Sequence, residues 1–259
     1  MRSEVQLQRS SDIAGIRGSI AREARNVGAQ GPAEVRRRQT LNLIHEGISL
    51  ISQVDFRARG VDPSALVSLS LHSNMLSSLE GLSPLTALTT LNLSSNELDG
   101  GAIRVCAPHL GALSSLEVLD LSCNRIDTLL GLPCLPQLHR LIMPYNRLSS
   151  LDGVQSLASS LSFLDVRDNH LAAPLETHAP HLASLGHVVE VLLMSPGGGQ
   201  ANPICSVEGY RAGMFMSMRS LQRLDGLGPG PEEGKMVGGL GAGIAQSGGS
   251  KSGVSTQGQ

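Results

Sequence analysis

The chain has no tryptophan, and only two tyrosines and three phenylalanines occur among its 259 residues. A core of stacked aromatics is therefore excluded, and any interior must be built from leucine and small side chains. Lysine is almost missing as well: of 20 basic residues only Lys235 and Lys251 are lysines, both near the C-terminus. A bias this complete reads as nucleotide composition rather than chemistry. There is no excess of charge, with 20 basic against 22 acidic residues, which argues against a general nucleic-acid or anionic-membrane binder. No apolar run approaches the roughly 20 residues of a membrane-spanning helix. The opening MRSEVQLQRSSDIAGIRGSI has no apolar core, so no secretory signal is expected. The cysteines, Cys106, Cys123, Cys134 and Cys205, include no C-x-x-C pair. Free thiols in a reducing compartment are expected, and no zinc site.

What the chain has is leucine at regular spacing. The template L-x-x-L-x-L-x-x-N-x-L fits LVSLSLHSNML (66–76), LTTLNLSSNEL (88–98), LEVLDLSCNRI (116–126), LHRLIMPYNRL (138–148) and LSFLDVRDNHL (161–171). The template asparagines are Asn74, Asn96, Asn124, Asn146 and Asn169, separated by 22, 28, 22 and 23 residues. A near-fixed period of this length is the signature of leucine-rich repeats. The expected fold is an α/β solenoid with about six short parallel strands on its concave face. Short or 3-10 helices form the convex face, and the C-terminus is capped. Alternation sends the leucines of each L-x-L triplet to one side, where neighbouring repeats bury them together. Each asparagine amide is placed to pair with backbone groups left over where the strand turns away.

The convex segments SSLEGLSPLTA, DTLLGLPCLPQ and SSLDGVQSLAS leave room only for short helices. The unit holding DGGAIRVCAPHLGALSS (99–115) is six residues longer and predicts a fuller helical turn. A sixth strand, VVEVLLM (188–194), lacks the asparagine. Residues 41–61 read as a degenerate first turn or N-terminal cap. Residues 1–40 form a basic lead, partly disordered or helical, with Ile13, Ile16, Ile20 and Val27 at helical spacing. In the tail 227–259, 11 of the residues are glycine, and disorder is expected.

Several stretches carry chemistry-bearing residues, and each has a plainer reading. GGLGAGIAQSG (238–248) follows no predicted strand, so no nucleotide site is assigned. HAPH (178–181) holds two histidines but no third ligand. RRRQT (36–40) fits a basophilic kinase pattern at Thr40, and a solvated charge run is the plainer reading. No nucleophile elbow accompanies any Ser, His and Asp, and neither enzyme activity nor a cofactor is expected. The outward strand positions carry more information. Arg140, Ile142, Tyr145, Phe163, Asp165 and Arg167 gather two of the five aromatics on adjacent rungs, which marks a protein-partner site on the concave face. Neither a small-molecule substrate, nor direct nucleic-acid contact, nor a membrane is expected as a partner.

The short repeats with LEGLSPL, LLGLPCL and LDGVQSL turns resemble the SDS22-like subgroup of leucine-rich repeat proteins. The segment NPICSVEGYRAGMFMSMRSLQRLDG (202–226) resembles the cap that closes this subgroup, through Asn202, Pro203, Tyr210, Arg211, Leu221, Leu224 and Asp225. The wording NPICSVEGYRA, with GISLISQV and LVSLSLHSNML, is similar to the centrosomal leucine-rich-repeat and coiled-coil family. That resemblance implies a scaffold of the centriole, basal body or cilium, in cytoplasm and cytoskeleton. The family's coiled coil has no counterpart here, since no heptads are present. The wider subgroup implies two alternatives: a protein phosphatase 1 regulatory subunit, or a protein-binding module like the spliceosomal U2 A-prime protein.

Overall fold

The computed structural model describes residues 39–172, 174–195, 201–231 and 233–234. The L-x-L triplets become short strands because two alternating leucines can be buried only if the backbone is extended. In chain order the strands are β1 (Gln39–Asn42), β2 (Leu66–Ser70), β3 (Thr90–Asn92) and β4 (Val118–Asp120). They continue as β5 (Arg140–Ile142), β6 (Phe163–Asp165), β7 (Glu190–Leu192) and β8 (Arg223–Leu224). All pair in parallel with their chain neighbours, forming one open eight-stranded sheet. The register stacks Leu69 on Leu91, then Leu119, Leu141, Leu164, Val191 and Leu224. All are buried, as are Leu79, Leu82, Leu85 and Leu88 on the return path. Each such side chain contributes about 1.5–3 kcal/mol relative to exposure.

Among the described residues eight strands form where six are expected. The two additional ones lie at the ends of the sheet, where parallel pairing, not a full template, defines them. β1 begins at Gln39, so the solenoid starts before the expected boundary at residue 41. The C-terminal boundary also moves. Residues 227–231, 233 and 234 turn back onto the preceding segment, where Glu233 pairs with Arg211 at 3.0 Å. Glycine content alone could not reveal this ion pair. The other residues of the lead 1–40 and of the tail fall outside the described residues.

Asparagines tie the turns together. Asn124 Oδ1 accepts from the Leu98 amide at 3.0 Å, and its Nδ2 donates to the Leu93 and Leu121 carbonyls. Asn74, Asn96, Asn146 and Asn169 repeat the arrangement one coil at a time. Each bridges one repeat to the one before it. The residue preceding each asparagine has positive φ, at Ser73, Ser95, Cys123, Tyr145 and Asp168. This left-handed corner turns the chain out of the sheet and costs roughly 1–2 kcal/mol per non-glycine residue. The asparagine bonds to both sides of the corner hold it there.

The convex side is tight. At Gly81, with φ +103°, an added Cβ would lie 2.5 Å from the Ser52 amide nitrogen. At Gly153, with φ +98°, an added Cβ would lie 2.2 Å from the Leu129 carbonyl oxygen. These glycines of the LEGL and LDGV turns let successive coils stack backbone to backbone. The longer unit holds two short helices, α1 (Gly100–Val105) and α2 (Ala107–Gly111), and Asp99 caps the first through the Ala102 amide. A ten-residue helix, α3 (Leu175–Ser184), follows the last template repeat and contains Pro180. The sequence pattern does not foretell it, because Pro180 masks its helical spacing.

Candidate functional site

The sheet face turned away from the core is a grid of three rows. The first runs Thr40, Ser68, Thr90, Val118, Arg140, Phe163, Glu190 and Arg223. The second runs Asn42, Ser70, Asn92, Asp120, Ile142, Asp165 and Leu192. The third lies two residues beyond the second, at the strand exits, and includes His72, Ser94, Ser122, Pro144 and Arg167.

Second and third rows are chemically coupled. Asn92 Oδ1 accepts from the Ser94 amide at 2.9 Å and from its hydroxyl at 2.6 Å. Asp120 does the same for Ser122, at 2.9 and 2.5 Å, and Asp165 accepts from the Arg167 amide at 3.2 Å. An acceptor two residues before the strand exit thus serves an amide left without a ladder partner. Ile142 breaks the series, and so does the residue it would serve. Pro144 has no N–H to satisfy, and an apolar side chain fits at 142.

The six residues expected to form the partner site do not act alike. Ile142 and Asp165 are each 1% exposed, so neither is presented to a partner. Asp165 is engaged by its own neighbour, since Arg167 Nη2 lies 2.7 Å from Oδ2 and Nε lies 2.9 Å from Oδ1. Tyr145 is not on a strand row: it occupies the left-handed corner, φ 58°, and Pro144 holds the row position. The irregular PYN stretch, with proline where the two preceding repeats carry Ser94 and Ser122, hides this register in the sequence. Arg140 and Phe163 are adjacent in the first row, half-buried, with the guanidinium 4.0 Å from the ring centroid. Beside them, Glu190 pairs with Arg223 at 2.8 Å. The sequence gives no sign of this ion pair, because β8 carries only two strand residues.

At the other end of the face, His72 Nδ1 lies 2.7 Å from Ser94 Oγ and Nε2 lies 2.8 Å from Ser73 Oγ. A hydroxyl–imidazole chain of this kind fills the small polar half.

After β7 the chain passes through a 3-10 turn (Pro203–Ser206) and a helix, α4 (Tyr210–Ser217), which packs against α3. Asn202 is fully buried and continues the asparagine ladder. Its Oδ1 accepts from the Leu171 amide, and Nδ2 donates to Val166 and Leu193. Pro203 opens the 3-10 turn. Tyr210, Met214, Phe215, Leu221 and Leu224 are buried over the last coil. Asp225 Oδ1 accepts from the Leu193 and Met194 amides, and Oδ2 accepts from the Tyr210 hydroxyl at 2.8 Å. Arg211 donates to the Leu224 and Gly228 carbonyls as well as to Glu233. The Gly230 amide, then Arg211, hold the Glu233 carboxyl below the usual carboxylate range.

Cys205 lies against Tyr210, whereas Arg211 turns to the Leu224 and Gly228 carbonyls and Glu233. Burial pushes the Cys205 thiol up to about 11, leaving it protonated near neutral pH. Burial, with the charge of Asp225 added, also pushes the Tyr210 phenol up. The HAPH histidines diverge. His178 lies against the Ala172 carbonyl at 2.9 Å, whereas His181 meets Asp152 at 2.7 Å. Among the described residues no group of three or more His, Cys, Asp or Glu could hold a metal ion. No helix there is long and apolar enough to cross a membrane.

A family model described as Leucine Rich repeat matches residues 85–103 and 112–128. These are leucine-rich repeats. Geranylgeranyl transferase type-2 subunit alpha of Mus musculus is 40% identical over 92 residues, covering 35% of this chain and 15% of that protein. The protein phosphatase 1 regulatory inhibitor subunit PPP1R7 homolog of Arabidopsis thaliana is 30% identical over 120 residues, covering 46% of this chain and 36% of that protein. The chain therefore spans a minor part of the length of these curated relatives. Among solved structures, the Drosophila melanogaster SNF/U2A′ complex contains a chain 24% identical, with TM-score 0.42, covering 50% of this chain and 71% of that one. An internalin (inlF) of Listeria monocytogenes is 18% identical, with TM-score 0.49, covering 72% and 47%.

Proposed function

We propose that this chain is a non-catalytic protein-interaction scaffold whose partner docks on the concave face over β5 and β6, around Arg140, Phe163 and Tyr145. The observation that carries this reading is the Arg140–Phe163 pair, 4.0 Å from guanidinium carbon to ring centroid and half-buried on the exposed side of the sheet. A stacked guanidinium is ordered before binding, so less side-chain entropy is lost on docking. Arginine and aromatics are the residues that most often dominate interface energy. The segment 202–226 is read as the C-terminal cap of the solenoid, and Cys205 and Tyr210 as its interior. No cofactor or small-molecule substrate is assigned.

The resemblance of NPICSVEGYRA to the centrosomal family supports a place at the centriole, basal body or cilium. A phosphatase-regulatory role is the second reading, supported by the 30% identity with the Arabidopsis thaliana phosphatase 1 regulatory homolog. Proximity labelling with the tagged chain separates them by their neighbours, and spliceosomal neighbours would select the U2 A-prime-like reading instead. With the partner in hand, the double change Tyr145→Ala and Phe163→Ala is expected to abolish its capture and leave cooperative melting intact. Undiminished capture would move the site off β5 and β6.

A further inference from the structure

We propose that Ser73 is a self-acylating serine: it takes an acyl group from a thioester or other activated ester, with His72 as its general base. The site lies in the small polar half of the concave face and does not depend on which partner docks around Arg140 and Phe163. Hydrogen-bond direction fixes its chemistry. His72 Nδ1 lies 3.2 Å from the Ser94 carbonyl, which can only accept, so Nδ1 carries the ring proton. The Ser94 hydroxyl gives its own proton to Asn92 Oδ1 at 2.6 Å, so its oxygen also faces Nδ1 as an acceptor, at 2.7 Å. In the neutral ring Nε2 is therefore the basic nitrogen, and the Ser73 hydroxyl donates to it at 2.8 Å. A nucleophile within reach of a base, with the base held by a third group, is the arrangement that activates serine.

In the later template repeats the place of His72 is taken by Ser94, Ser122, Pro144 and Arg167, none of which can act as a base near neutral pH. The His72 ring is buried, whereas Ser73 is half-buried and reaches solvent. The surroundings suit an acyl chain. His45, on the preceding coil, donates its amide to the His72 carbonyl at 3.2 Å. Beside it Ile44 is 45% exposed, and Met75, two residues beyond Ser73, is 53% exposed. In the reaction, Ser73 Oγ bonds to the carbonyl carbon while its proton passes to His72 Nε2. The bond from that carbon to the leaving sulfur or oxygen then breaks. The leaving group takes the electron pair, and His72 returns the proton to it or to water. The product is an alkyl ester, whose alkoxide leaves far less readily than a thiolate. The Ser73 amide is already spent on the Ser94 carbonyl at 3.0 Å, so it does not steady an oxyanion during hydrolysis. The acyl group therefore persists as a covalent mark on the scaffold.

The test is p-nitrophenyl acetate added to the full chain, with nitrophenolate release followed by absorbance. A burst of about one equivalent without sustained turnover is expected, and tandem mass spectrometry should place the acetyl group on Ser73. Ser73→Ala should remove the burst. His72→Gln keeps a polar side chain but no basic nitrogen, and should slow the burst about a hundredfold. Ser94→Ala should slow it less, because the carbonyl partner of Nδ1 remains, and Ser94→Thr should restore it. Circular dichroism melting of each variant checks that the fold persists. Acetyl found only elsewhere on the chain, or a burst equally fast in His72→Gln, would overturn the assignment.

Discussion

The Asn202 amide nitrogen lies 2.8 Å from the Leu193 carbonyl, nine residues back along the chain. In the preceding repeats the equivalent bond spans three residues, as from Asn169 to Val166. The ladder therefore does not stop where the template asparagine disappears. It is completed by a residue that arrives after a longer excursion, and the last full coil is held as the earlier ones are. Asn202→Ala is accordingly expected to cost about 1–3 kcal/mol, as is Asn124→Ala, because each leaves buried backbone groups without partners. Urea unfolding midpoints measure both. An Asn202→Ala midpoint equal to wild type would remove Asn202 from the ladder.

Gly153→Ala is expected to destabilise by roughly 1–3 kcal/mol, since the new methyl meets the Leu129 carbonyl at a left-handed φ. Gly60 has φ +73° but nothing within 4 Å of where an added methyl would sit, so Gly60→Ala carries the conformational cost alone. Thermal melts of the two variants side by side should rank Gly153→Ala clearly lower.

The pairing of Asp120 with Ser122, and of Ile142 with Pro144, makes a second-row exchange informative. Asp120→Ala strands the Ser122 amide and should cost about 1–3 kcal/mol. Asp120→Asn should be close to neutral, as Asn92 already performs the same task. Ile142→Asp buries a carboxylate where Pro144 offers no amide, and should cost about 3 kcal/mol or more. Adding Pro144→Ser to Ile142→Asp supplies the amide and hydroxyl. A double-mutant cycle in chemical denaturation should then show favourable coupling between positions 142 and 144.

Alkaline stability follows from Cys205 and Tyr210. An unfolded thiol loses its proton near 9, whereas the half-buried Cys205 thiol loses its own at about 11. Between those values the unfolded chain binds fewer protons than the folded one, so stability falls as pH rises through this window. The raised Tyr210 phenol acts in the same direction. Cys205→Ala should flatten part of the decline between about pH 9 and 11 in denaturant titrations. An unchanged slope would mean that the thiol is not buried.

Leucine spacing alone determined that this chain is a solenoid. With only five aromatics and an L-x-L triplet every 22 to 28 residues, parallel stacking is the arrangement that buries those leucines together. The asparagine positions were legible for the same reason, because a near-fixed period places one polar amide at each corner. Three things were decided by tertiary structure. Asn202 enters the ladder across an irregular excursion that no period describes. Tyr145 belongs to the left-handed corner, because Pro144, with no N–H, occupies the strand-exit position. Arg211 and Glu233 meet across a glycine-containing turn whose composition reads as unstructured. For Asn202 and for Arg211 the deciding contact joins residues whose spacing breaks the repeat, and only folding brings their polar groups within hydrogen-bonding distance.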